Sequence, residues 1–205
     1  MVLSYNYSMD NFVWKMSLYR FLDAVKLVGV IFVLFFTHNG MNPFQISILI
    51  SIWSLTQLLL EVPLGTVADK YPRRNLLIIA LLVHAVGFVL WLKGGFVFYA
   101  LGFVFWGFKN ALVSGTQEAL VYDELKTYRK ESHYEQVNGK LESAFWIGIT
   151  LSAILGGFVA TLDYNLVIFA SIITTLLAIV TLATIKSVKP LQSTGETKYI
   201  DVLKE

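Results

Sequence analysis

Charged side chains interrupt stretches of this sequence that are otherwise apolar. Arg20, Asp23 and Lys26, at i, i+3 and i+6, fall in the run Leu18–Thr37, and Lys109 falls in the run Phe96–Val121. Ser47, Ser51, Ser54, Gln57 and Glu61 recur at helical spacing along Phe44–Val67 and so share one helix face. Trp106, Lys109, Asn110, Val113 and Gln117 form a similar stripe on the fourth run. At membrane depth a charge costs several kcal/mol unless it is paired or hydrated, so such residues rarely face lipid. Three striped helices therefore imply a shared polar interior. Asp23, Lys26, Gln57, Glu61, Trp106, Lys109, Asn110 and Gln117 are its candidate substrate or proton contacts.

The same residue types argue against catalysis. His38, His84 and His133 fall on different segments, no His-Glu-x-x-His occurs, and the chain has no cysteine. No catalytic residue, metal site or cofactor is expected, and nucleic acid is not an expected partner. Depth separates the candidates. At about 1.5 Å per residue, Lys109 lies roughly 20 Å from the outer end of its helix, near the middle of a ~30 Å core. No acid lies within one helical turn of it, so it reads as a functional contact. Asp23 and Lys26 admit two readings, a self-neutralising i, i+3 pair or a substrate or proton contact. His84 reads as a packed histidine, and the serines of the second run as bonding their own helix carbonyls.

The elements that must position these groups are membrane helices. Of 205 residues, 56% are hydrophobic and 15% charged, where a soluble domain carries about a quarter charged. The apolar residues form six runs near the ~20-residue length that crosses a bilayer: Leu18–Thr37, Phe44–Val67, Asn75–Leu92, Phe96–Val121, Leu141–Leu162 and Asn165–Ile185. The connections alternate in charge. Lys70–Arg74 carries three basic residues and Lys126–Lys140 carries four, whereas His38–Pro43 carries none and Lys93–Gly95 one. Basic loops stay inside, so both termini are expected to be cytoplasmic. The expected class is an all-α integral membrane protein of six transmembrane helices in a 3+3 bundle. Residues 1–17 read as a cytoplasmic N-terminus, 18–185 as the bundle, and 186–205 as a cytoplasmic tail or the start of a linker. Gly148, Ser152 and Gly156, four apart on the fifth run, read as a helix-packing seam.

One turn carries a family likeness. Gly65-Thr-Val-Ala-Asp69-Lys70-Tyr-Pro72-Arg73-Arg74 resembles the Gly-x-x-x-Asp-x-x-Gly-Arg-Lys/Arg signature of the major facilitator superfamily, with Pro72 where the family has glycine. The stretch from Phe35–Gly40 through Leu60–Pro63, and Ser114–Asp123, resemble its bacterial drug- and macrolide-efflux-like members. The likeness runs from about Asn11 to Ile185 and takes in the first half of a fold of two six-helix bundles. It implies that Gly65, Asp69, Arg73, Arg74 and Asp123 form a cytoplasmic gate, with Arg73 paired to Asp123 and Gly65 permitting close helix approach. The family's arginine motif on helix four is unmatched. Its antiporter motif on helix five is met only as Gly148 and Gly156-Gly157.

Two functions stay open at this point. The first is secondary active transport of a small molecule across the cytoplasmic membrane by alternating access, as proton-coupled efflux. It would need a second six-helix bundle, from a homodimer or a separate C-terminal half. The second is a truncated, transport-inactive or regulatory remnant of a full-length transporter. Bilayer lipid, substrate and protons are the other expected partners.

Overall fold

A computed structural model describes residues 2–185, with side chains from Met9 onward; the tail or linker expected at 186–205 lies outside the described residues. All its regular elements are helical. In chain order they are α1 (Val2–Ala24), α2 (Leu27–His38), α3 (Pro43–Ala68), α4 (Arg73–Trp91), α5 (Phe96–Val113), α6 (Thr116–Thr127), a 3-10 turn (Glu131–His133), α7 (Tyr134–Ala160) and α8 (Tyr164–Ala183). They make six spans long and apolar enough to cross a membrane, because α1 continues into α2 and α5 into α6. The bundle is therefore that of a multi-pass membrane protein.

Helix ends follow local chemistry. Asn42 and Gln45 cap α3 reciprocally, each side chain accepting the other's backbone N–H at 2.9 and 3.0 Å, with Pro43 in the first turn. Asp163 Oδ1 accepts from Asn165 N at 2.6 Å at the start of α8. The fifth helix begins earlier than the apolar run suggests, at Tyr134 rather than Leu141. Its polar first turns extend past the apolar part of the span. The first span likewise reaches well upstream of Leu18.

Two spans are broken. The first stops at Ala24 and restarts at Leu27, with Lys26 extended at φ −106° and ψ 97°. β-Branched Val25 and Val28 and the flexible Gly29 weaken helix formation there. The freed groups find partners: Val28 N donates to Ser171 Oγ of α8 at 3.0 Å, and Gly29 N to Lys26 O at 2.9 Å. The fourth span breaks at Ser114-Gly115, where Gly115 takes φ +71°, a conformation costly for any residue with a Cβ.

The packing repeats with a swap. The α1/α2 span packs on α7, and the α5/α6 span on α3; α4 lies against α5, and α8 against α1 and α4. Exchanging spans one to three with four to six leaves this set of contacts unchanged, as a 3+3 bundle requires. Glycines set the crossings. A Cβ on Gly148 would stand 2.7 Å from both Ala24 Cβ and Phe21 O, one on Gly156 2.9 Å from Leu27 O, and one on Gly107 2.7 Å from Trp53 O. Gly148, Ser152 and Gly156 are all buried, and the seam they form lies along the break in the first span.

Candidate substrate site and basic-end cluster

The buried charges converge. Asp23 on α1 accepts from Lys26, just past the helix end, through one carboxylate oxygen, and from Lys109 Nζ on α5 through the other at 2.9 Å. All three residues are buried. The sequence places no acid near Lys109, but the fold supplies one from 86 residues away. Lys26 stands at the break itself, with extended backbone. Asp23 is thus the i, i+3 partner of Lys26, as one reading of the sequence has it, and it is also part of an interhelical cluster that the sequence did not indicate.

This cluster forms one wall of a cavity of about 210 Å³. Trp106, Asn110, His84, Phe145 and Ile149 line the rest with Val30 and Gly29. His84 is 1% exposed, and neither ring nitrogen has a partner among the described residues. Its ring stacks on Trp106 at 5.5 Å and leans on Phe88 at 4.3 Å. Beyond Trp106 an aromatic cluster of Phe32, Phe36, Trp91, Tyr99 and Phe103 fills the bundle on the far side. Edge-to-face and offset contacts of this kind make a rigid apolar floor.

The remaining pathway candidates lie outside that cavity. Gln57 Oε1 accepts from Asn110 Nδ2 at 3.4 Å, and Glu61 accepts from Ser114 Oγ at 3.0 Å, which ties α3 to the fourth span. Gln117 accepts from Arg20 at 3.4 Å. Ser47 and Ser51 donate to the carbonyls of Pro43 and Ser47.

At the basic end, Arg73 pairs with Asp123 and donates to Ala119 O at 2.7 Å, one turn apart on α6. Arg74 Nη1 donates to Ile185 O at 2.7 Å, just past α8. Asp69 is exposed and caps α3, and among the described residues its side chain has no partner. Gly65 is exposed, and nothing lies within 4 Å of where its Cβ would be. The close approach expected there is not made within the bundle. Gly65, Asp69, Arg73 and Gly115 instead line an open cleft of about 240 Å³.

One pair was not singled out from the sequence. Arg20 is bound to Glu142 on α7, and its guanidinium lies 4.4 Å from the centre of the Phe145 ring. Glu142 sits four residues before Trp146 in a polar-to-apolar transition, so its only sequence signal was a charge near a span end. No group of three His, Asp or Glu side chains among the described residues is placed to hold a metal ion.

Comparison with known proteins agrees with this architecture. The family model described as "Major Facilitator Superfamily" matches residues 19–203. A protein described as "Uncharacterized transporter" from Buchnera aphidicola subsp. Schizaphis graminum (strain Sg) is 26% identical over 101 residues. That alignment takes in 49% of this chain but only 25% of the relative. A family of membrane transporters, rather than of enzymes, thus accounts for six apolar spans around a buried ion cluster. The chain belongs to the Major Facilitator Superfamily.

Proposed function

We propose that this protein carries a small molecule across the cytoplasmic membrane by alternating access, as a proton-coupled exporter, and that it works together with a second six-helix bundle. The observation that carries the reading is the Asp23–Lys26–Lys109 cluster in a cavity wall, at the break in the first span. Discontinuous helices with charged groups at mid-membrane are how such transporters build a site that can be loaded and emptied. Asp23 is the carboxylate that holds the two cations, Lys26 and Lys109, together in that wall. The efflux direction rests on the likeness to drug-efflux-like members.

The second bundle is supported by unequal burial. Only 11% of the apolar window of α3 and 17% of that of the α7 span is buried, against 50% for the first and third spans. On α3 the exposed face includes Ser47, Ser51, Ser54 and Glu61, groups better suited to a protein neighbour than to lipid. The basic end, facing the cytoplasm under the positive-inside rule, then carries the gate. There Arg73–Asp123 is the pair that holds α4 to α6, and Asp69 is left free to engage the opposite bundle.

Flux in vesicles tests this. Asp69→Asn and Arg73→Gln are expected to abolish transport while the protein still inserts and stays at wild-type abundance. Wild-type flux in Asp69→Asn would overturn the gating role. The mass of the purified chain in detergent, alone and with a candidate partner half, tests the two-bundle requirement. A chain that transports as a monomer refutes it.

A further inference from the structure

The cavity wall holds more positive charge than it neutralises. Lys26 and Lys109 share the single carboxylate of Asp23, while the flanking pairs Arg20–Glu142 and Arg73–Asp123 are matched one to one. Both oxygens of Asp23 are engaged, one by each lysine. Each ammonium spends one N–H on Asp23 and has further donors to offer. His84, buried in the same wall, has two ring nitrogens without a partner among the described residues. Asn110, whose amide donates to Gln57, is the other polar residue of the lining, and the rest is flat or apolar: the indole of Trp106, the ring of Phe145, Val30 and Ile149. At about 30 Å³ per water, 210 Å³ is the space of about seven waters, enough for a single-ring organic acid.

We propose, resting on the transport reading above, that this cavity binds an organic monoanion with an aromatic body. Its carboxylate docks on the free donors of Lys26 and Lys109, with a ring N–H of His84 as a further donor. Its ring lies against Trp106 and Phe145. One such anion brings the wall to neutrality, which a low-dielectric interior favours. A cation would instead add a third positive charge beside two, and would find no free carboxylate oxygen.

The test is equilibrium binding to membrane vesicles carrying the full chain, with three labelled probes of one shape: phenylacetate, 2-phenylethanol and phenethylamine. Phenylacetate is expected to bind saturably and at least about tenfold more tightly than either counterpart. Lys109→Gln should weaken it by at least about tenfold, while Lys109→Arg, which keeps the charge, should stay within about threefold of wild type. Elution volume and protease resistance of each variant show that it is folded. Preference for phenethylamine, equal binding of the three, no saturable binding, or an unchanged Lys109→Gln would each overturn the anion site. Phenylacetate binding without flux of any tested solute overturns the transport reading and leaves the anion site standing. Flux of a cation without phenylacetate binding does the reverse.

Discussion

Removing Asp23 and removing Lys109 both break the same contact, yet the structure gives them very different consequences. With the cluster intact, one carboxylate is flanked by two ammoniums, the Lys109 contact at 2.9 Å. At an effective dielectric of about 20, a unit-charge pair at that distance attracts by roughly 6 kcal/mol before desolvation is charged against it. Asp23→Asn removes both attractions and leaves two buried lysines facing each other. Lys109→Gln removes one attraction and one repulsion, and leaves Asp23–Lys26 as a neutral pair. Stripping the shared partner from buried charges costs about 3–5 kcal/mol, whereas shedding the surplus charge is expected to cost under about 1 kcal/mol.

Thermal unfolding of the two variants in one detergent, followed by tryptophan fluorescence, measures the contrast. Asp23→Asn should unfold well below wild type, and Lys109→Gln within a few degrees of it. Adding Lys109→Gln to Asp23→Asn should recover part of the loss, because the repulsion goes with it. The reasoning is refuted if Lys109→Gln is as destabilised as Asp23→Asn, or if the double variant is no better than Asp23→Asn alone.

Other contacts make sharper local tests. Gly148→Ala puts a methyl 2.7 Å from Ala24 Cβ and Phe21 O, so α7 must retreat from α1 at a cost of about 1–3 kcal/mol; Gly157→Ala, with nothing within 4 Å, should be neutral, and equal unfolding midpoints would refute the seam. Ser171→Ala leaves Val28 N, at the break, without its acceptor, a loss of about 1–3 kcal/mol readable as faster amide exchange at Val28; unchanged exchange would count against it. Gly115→Val forces a β-branched residue to φ +71° and should lower the unfolding midpoint more than the same change at Gly139, which has no positive φ and an open environment.

Much of the fold was legible because the bilayer imposes it. Six apolar runs and alternating loop charge leave little freedom, and the helices found differ from the runs mainly at ends where polar turns extend the helix. The charged residues of the buried cluster were legible too, since Asp23, Lys26 and Lys109 are conspicuous in apolar surroundings. Their pairing was not. Asp23 and Lys109 are 86 residues apart, and periodicity within one helix says nothing about which helices cross. The first break was also hidden: Val25-Lys26 contains neither glycine nor proline, and what holds it open is Ser171, from α8, and the seam on α7. Gly115 offered a signal at the second break, an isolated glycine in a helical run. His84 looked like a packed histidine, and its packing against Trp106 and Phe88 agrees; its unpartnered nitrogens could be seen only once the neighbouring helices were in place.

The two breaks fall on the two spans that carry the buried charges, and this bears on how motion can pass between the ends. A continuous helix would tie Lys109 rigidly to Asp123, whose partner Arg73 anchors α6 to α4. With Gly115 between them, α5 stays packed on α3 and α4 while α6, held by Arg73, is a separate piece that can pivot about that glycine. The first span is divided in a complementary way. Arg20 and Asp23 lie on α1, fastened to α7 through Glu142, whereas α2 belongs to the aromatic cluster on the far side. Lys26 sits at the joint itself. The ion cluster therefore spans pieces anchored at different places: α1 to α7, α5 to α3 and α4, and the joint to both. Changing the charge in that cluster changes the attraction between α1 and α5 across the joint. Among the described residues, only the cluster links those two half-helices by an ion pair.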